Sequence, residues 1–114
     1  MDHSTMSEYR VTPPTVVSTS PADSRTNVPA DAVITVVFSE AMNLLTIMNP
    51  PQFTVSPGVQ GLVSYDIPSR TAIFTPSAPL APATTYTGTI SNNVQDLAGQ
   101  RMTANHVWNF STAP

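Results

Sequence analysis

The chain of 114 residues contains no cysteine and no lysine. Without cysteine there is no disulfide, no thiol nucleophile and no thiolate metal site, and the redox compartment stays open because such a chain works in either. The four basic residues are Arg10, Arg25, Arg70 and Arg101, widely spaced under a formal net charge of −3. Nucleic-acid binding needs a basic stripe that neutralises phosphates, and an anionic membrane surface needs a basic cluster; four isolated arginines supply neither. Charged residues make up only 10% of the chain, against roughly 25% in soluble domains. Long apolar runs are missing too: Val33-Ile34-Thr35-Val36-Val37-Phe38 is among the longest, far short of the roughly 20 residues that span a bilayer, so no membrane insertion is expected. The length suits one domain and leaves no room for a catalytic domain beside a cofactor domain.

Glycine is scarce at 4 residues, whereas proline reaches 12 and serine plus threonine 28. Threonine and valine suit strands, and proline at this density interrupts helices, so short strands joined by turns are expected. An apolar content of 40% with regular alternation is too high for a disordered chain. Apolar runs and turn signals alternate from Pro13 onward, the pattern of a sandwich or barrel. Seven strands are predicted, at about 15–19, 32–38, 53–56, 59–65, 71–75, 84–91 and 106–112. In the second of them Ile34, Val36 and Phe38 share one face and Val33, Thr35 and Val37 the other, which predicts a central strand. The stretch 43–48 alone has helical spacing, and Pro50 and Pro51 limit it to a single short helical turn. Alternation points Phe74 with Ala72, Tyr86 with Ile90, and Trp108 with Phe110 toward the core, and Tyr65 is counted with them. Residues 1–12 have no periodicity and no signal-peptide design, and are read as a flexible tail or expression remnant before a single domain at 13–114. The ending at Ala113-Pro114 is read as that of a domain taken from a longer chain.

The order of these pieces resembles the bacterial immunoglobulin-like domain of the S-layer-protein type. The stretches that carry the resemblance are Pro14-Thr15-Val16-Val17-Ser18-Thr19-Ser20-Pro21-Ala22-Asp23, Thr26-Asn27-Val28-Pro29 and Val36-Val37-Phe38-Ser39-Glu40-Ala41-Met42. They continue through Gly61-Leu62-Val63-Ser64-Tyr65-Asp66, Ala72-Ile73-Phe74-Thr75-Pro76, Pro79-Leu80-Ala81-Pro82-Ala83-Thr84-Thr85-Tyr86-Thr87, Val94-Gln95-Asp96-Leu97-Ala98-Gly99-Gln100 and Trp108-Asn109-Phe110-Ser111-Thr112. No single motif is specific, but their joint order and spacing are, over about Pro14 to Thr112. Gln100 stands where asparagine is common, and Asn49-Pro50-Pro51 is richer in proline than the pattern. The resemblance implies an all-β, immunoglobulin-like Greek-key β-sandwich of about seven strands, used as a non-catalytic module of secreted or cell-surface bacterial proteins. Fold alone does not assign the role of one copy.

Candidate sites are few. Phe38 and Met42 are expected to plug one end of the sandwich while Ser39 and Glu40 bond backbone donors of the following turn. Calcium is the most plausible cation for an acidic sandwich, and Glu40 and Asp96 could share one if they met at the same end. The acidic residues are isolated, however, against about 6–8 oxygen ligands needed, so no cofactor is expected. Thr85, Thr87 and Thr89 alternate outward, but one strand is not the array that orders water on an ice-binding face. His3 and His106 with no Gly-x-Ser-x-Gly elbow give no catalytic constellation. Asn109-Phe110-Ser111 matches a glycosylation pattern but falls within a strand. Tyr86 follows the proline-rich loop 79–83, where its hydroxyl can bond back as in the tyrosine corner of immunoglobulin-like sandwiches. Phe38, Met42, Phe74, Tyr86, Trp108 and Phe110 are thus expected to be structural. Two readings follow: a structural or spacer module, monomeric as an isolated domain and partnered by neighbouring domains of its own polypeptide, or an adhesion or carbohydrate-binding module using end loops or a sheet face, stiffened by calcium.

Overall fold

The computed structural model describes residues 12–114; the tail reading of 1–12, with His3 and Tyr9, falls outside the described residues apart from Thr12. Eight strands form two four-stranded sheets. The first sheet orders β1 (Val16–Ser20), β3 (Ile34–Phe38), β6 (Thr71–Pro76) and β5 (Gly61–Asp66); the second orders β2 (Arg25–Val28), β8 (His106–Thr112), β7 (Thr85–Ile90) and β4 (Phe53–Ser56). The chain therefore changes sheet between β1 and β2, β2 and β3, β3 and β4, β4 and β5, and β6 and β7, which makes a sandwich whose core contacts are mostly distant in sequence.

Strand β3 lies between β1 and β6, with Ile34, Val36 and Phe38 buried and Thr35 and Val37 half-buried, while Val33, just ahead of the strand, is exposed. Its neighbours across the sheet are Phe74 opposite Ile34 and Ala72 opposite Val36. From the second sheet Phe53, Val55, Tyr86, Ile90, Trp108 and Phe110 face them. The aromatic rings form a chain through the core, Phe74 against Phe53 at 5.7 Å and Phe53 against Trp108 at 6.1 Å between centroids, within the range in which tilted rings attract. The Trp108 indole N–H donates to the Pro21 carbonyl at 2.9 Å, so its one polar atom is satisfied.

The structure corrects the count of seven strands. The additional strand, β2, runs parallel to β8, with Arg25 opposite Phe110 and Val28 opposite Thr112. Only Val28 of its four residues is buried, so there is no alternation to read. What makes it a strand is backbone pairing with a partner far along the chain. The expected helical turn is α1 (Leu44–Met48), capped by Asn43, whose side-chain oxygen accepts from Leu45 N at 3.2 Å. Tyr65 is a second correction: it is half-buried, not in the core, because its hydroxyl reaches out to accept from Met42 N at 2.9 Å.

The described chain enters and leaves at opposite poles. At the entry pole Thr15 exchanges bonds with Ser39, and the β5–β6 turn, α1 and the 91–105 segment gather around it. At the exit pole Ala113 N donates to the Val28 carbonyl, and Ala83 N donates to the Ala113 carbonyl. There the Tyr86 hydroxyl accepts from Ala81 N at 2.8 Å, and its ring stacks on Phe110 at 5.9 Å. Thr112 Oγ1 bridges the same loop, donating to the Ala81 carbonyl and accepting from Thr84 N. Tyr86→Phe leaves the Ala81 amide without this partner and is expected to lower stability by about 1 kcal/mol, the scale of one hydrogen bond. Urea denaturation checks it, and an unchanged midpoint would remove the tyrosine-corner role.

Candidate functional site

Two features stand out from the framework, a carboxyl pair at the entry pole and an uncharged hydroxyl face on the second sheet. The pair is built by loops that strand pairing brings together. Strand β3 ends at Phe38, and the segment after it runs to an antiparallel bridge between Met42 and Asp96. Around that bridge Asn43 N donates to the Gln95 carbonyl at 2.9 Å, and Thr46 Oγ1 accepts from Gln95 N at 2.9 Å. These bonds fix the 95–101 turn against the start of α1. Met42 and Phe38 are both buried beneath it.

Asp96 is the only buried carboxylate among the described residues, with 1% of its surface exposed. Its Oδ1 accepts from Ala98 N at 2.9 Å and from Gln100 N at 2.8 Å, while its own carbonyl accepts from Gly99 N. The turn closes only because Gly99 takes a φ of +86°, a region costly for residues with a Cβ. Asp96 Oδ2 and Gln100 Oε1 are buried without a hydrogen-bond partner.

Glu40 stands two residues before the Met42–Asp96 bridge, on the segment laid along this turn. Sequence reasoning directs its carboxylate to backbone donors of the turn, and the structure corrects that: Glu40 meets the Asp96 carboxyl instead. Ser39 does bond backbone, but through the strand-entry segment, with Oγ accepting from Thr15 N at 2.9 Å. The contact with Asp96 holds the Glu40 carboxyl above its ordinary value, helped by burial and by the neighbouring negative charge. Burial pushes the Asp96 carboxyl up, but the Glu40 contact and the amides of Gln100, Ala98 and Gly99 outweigh it, leaving Asp96 below its ordinary value. The opposite directions are those expected of two neighbouring carboxyls that cannot both ionise without cost.

The structure thus brings together the two residues considered as calcium ligands. Calcium takes about 6–8 oxygens, and the described residues contain no group of three or more histidine or acidic side chains. His106 lies elsewhere on the entry pole, its ring 5.6 Å from Trp108. The shallow cleft beside it is lined by Pro14, Thr15, Val16 and Met102 through Asn105, none of them a carboxylate.

The hydroxyl face was only partly readable. Thr85, Thr87 and Thr89 point outward on β7 as the alternation predicts, but they do not stand alone. Register places Thr54 and Val107 beside Thr89, Ser56 and Asn109 beside Thr87, and Ser111 beside Thr85. The result is a three-strand patch without a charge. Its polar side chains bond to one another: Thr87 Oγ1 donates to the Asn109 amide Oδ1 at 2.7 Å, and the Thr85 and Ser111 hydroxyls lie 2.9 Å apart.

A two-sheet sandwich with a tyrosine bonded to its neighbouring loop, and with no assembled catalytic group among the described residues, defines an immunoglobulin-like module. The chain belongs to the bacterial Ig-like domain family, whose model matches residues 10–112. No curated protein sequence matches it. Among solved structures it is similar to PcoC, a methionine-rich copper resistance protein from Escherichia coli, at 17% identity and a TM-score of 0.67, covering 89% of this chain and 99% of that one. It is also similar to the N-terminal part of the bacterial S-layer protein SbsC, at 18% identity and a TM-score of 0.65, covering 90% of this chain and 24% of that one. CopC from Methylosinus trichosporium OB3b follows at 12% identity and a TM-score of 0.63, covering 89% of this chain and 94% of that one. At these identities the likeness is one of fold.

Proposed function

We propose that this domain is a non-catalytic structural spacer of a larger secreted or cell-surface bacterial protein, holding neighbouring domains apart at a fixed distance. The observation that carries the reading is the placement of the two ends: Thr15 is tied in at one pole and Ala113 at the other. A pull along the chain therefore runs through the whole sandwich. Strand β8 has 7 residues, so the poles stand roughly 25 Å apart at about 3.4 Å per residue.

Protected edges support the same reading, because a spacer must not pair with other chains. On one sheet β1 carries a bulge between Val16 and Ser18, and α1 packs against β5. On the other, β4 is flanked by Pro51 and Pro57, and β2 has four residues with Asn27 in the left-handed region and Pro29 beyond its end. Among the described methionines, Met42 and Met102 are buried and Met48 is half-buried, filling core space.

The absence of cysteine allows clean labelling for a test. Donor and acceptor dyes on Thr12→Cys and Pro114→Cys report the pole-to-pole distance, and the single tryptophan, buried Trp108, reports the core. As denaturant rises, the distance is expected to hold constant until the Trp108 signal changes, in one cooperative step. A distance that lengthens well before the core opens overturns the spacer reading. The uncharged hydroxyl face favours a second reading, a carbohydrate-binding module; saturable binding to a polysaccharide, lost in Thr87→Arg, would establish it.

A further inference from the structure

We propose that Glu40 and Asp96 form an acid-closed latch: one proton shared between the two carboxyls pins the 95–101 turn to the segment after β3, and its loss loosens the entry pole. The latch rests on an unmet hydrogen bond and is independent of the spacer role. Asp96 keeps only 1% of its surface exposed. Its Oδ1 is satisfied by two backbone amides, whereas Oδ2 is buried and receives no donor. A buried carboxylate oxygen without a donor is costly. The Met42–Asp96 bridge brings Glu40, two residues before it, beside this carboxyl, and Glu40 can donate to it only when protonated. The orphan oxygen is therefore satisfied in one protonation state and repelled in the other.

The surrounding charged and titratable groups do not relieve the pair. From the β5–β6 turn, Arg70 spends Nη1 on the Ser39 carbonyl, and Asp66 accepts from Ser69. From β5 the Tyr65 hydroxyl is taken by Met42 N. Arg101 sits opposite Gln95 on the same turn and is exposed, and His106 at the start of β8 lies on Trp108. Neither arginine is among the influences on Glu40, which are Asp96 and burial.

The sign follows. Glu40 is raised from 4.5, so its contribution to stability is complete below about that pH and is lost as pH rises through the higher folded value. Asp96 is lowered from 3.8, so its contribution is present above that pH and is lost as pH falls through the lower folded value. The latch is closed in the weakly acidic range and opens toward neutral pH.

The test compares melting temperatures of the full chain and of Glu40→Gln from pH 4 to pH 8, with and without millimolar calcium, beside Glu40→Ala as a variant that removes the contact altogether. In Glu40→Gln the introduced side-chain amide donates at every pH. The full chain is expected to lose several degrees more than Glu40→Gln between pH 5 and pH 8, with Glu40→Gln melting higher at pH 8 and Glu40→Ala lower than the full chain at pH 5. Amide exchange at Ala98 and Gln100 is expected to quicken with pH in the full chain and not in Glu40→Gln. Identical pH profiles for the full chain and Glu40→Gln overturn the latch. So does calcium raising the melting temperature of the full chain at pH 8 but not that of Glu40→Gln, which would make the pair a cation site.

Discussion

Gly88→Ala is expected to lower stability by about 2 kcal/mol, although alanine in place of glycine within a regular strand ordinarily favours folding. Gly88 sits in β7 opposite Trp108, and a Cβ there would lie 2.7 Å from the Trp108 ring atoms Cη2 and Cζ2. The indole has nowhere to go. Its N–H is held by the Pro21 carbonyl, and the rings of Phe53 and His106 pack on it with centroids 6.1 Å and 5.6 Å away. The missing side chain is the space the indole occupies, so strand β7 needs glycine there for close approach and not for backbone freedom. Equilibrium unfolding followed by Trp108 fluorescence checks it. A midpoint at or above that of the parent chain would show that the ring can shift aside.

Asp96→Ala is expected to be the other severe change, at about 3 kcal/mol. It strips the acceptor from the Ala98 and Gln100 amides and leaves the turn around Gly99 without its side-chain clamp; hydrogen bonds to a charged acceptor are worth about 1.5–3 kcal/mol each, part of which is offset by releasing a buried charge. The damage should reach past the turn, because the Met42–Asp96 bridge and the Asn43–Gln95 bond fasten this segment to α1. Urea denaturation gives the magnitude, and amide exchange should show Asn43 and Gly99 opening ahead of β3. Asp96→Asn keeps an oxygen for the amides and should cost less than half as much.

Some of this was legible in the residues. The alternation Ile34, Val36, Phe38 gives both the strand and its buried face, since side chains two apart share a side whatever the rest of the chain does. The helical spacing of 43–48 gives the short helix, and Pro50 and Pro51 bar its extension. Strand β2 was not legible, because Arg25, Thr26 and Asn27 bury nothing and exist as a strand only beside β8. Tyr65 reads as a core residue by position, and only the Met42 amide near its hydroxyl explains why it stays half-buried. The carboxyl pair was legible as two isolated acids. Their meeting was legible only as a condition, that both lie at one end; the Met42–Asp96 bridge decides it, because no local rule connects a residue after β3 with one in the turn before β8.

What the sequence by itself determined is everything set by short-range sterics and burial: an all-β chain, the inward face of each long strand, the turn at Gly99, and the absence of thiol, lysine and basic-stripe chemistry. What only the tertiary structure decided is which polar groups share a low-dielectric space. Trp108 finds the Pro21 carbonyl across a separation of 87 residues, and Asp96 Oδ2 is buried without a hydrogen-bond partner while Glu40 acts on the same carboxyl. Burial strengthens such contacts and makes each unmet one costly, so the character of the site is fixed by the folded neighbourhood and by no residue alone.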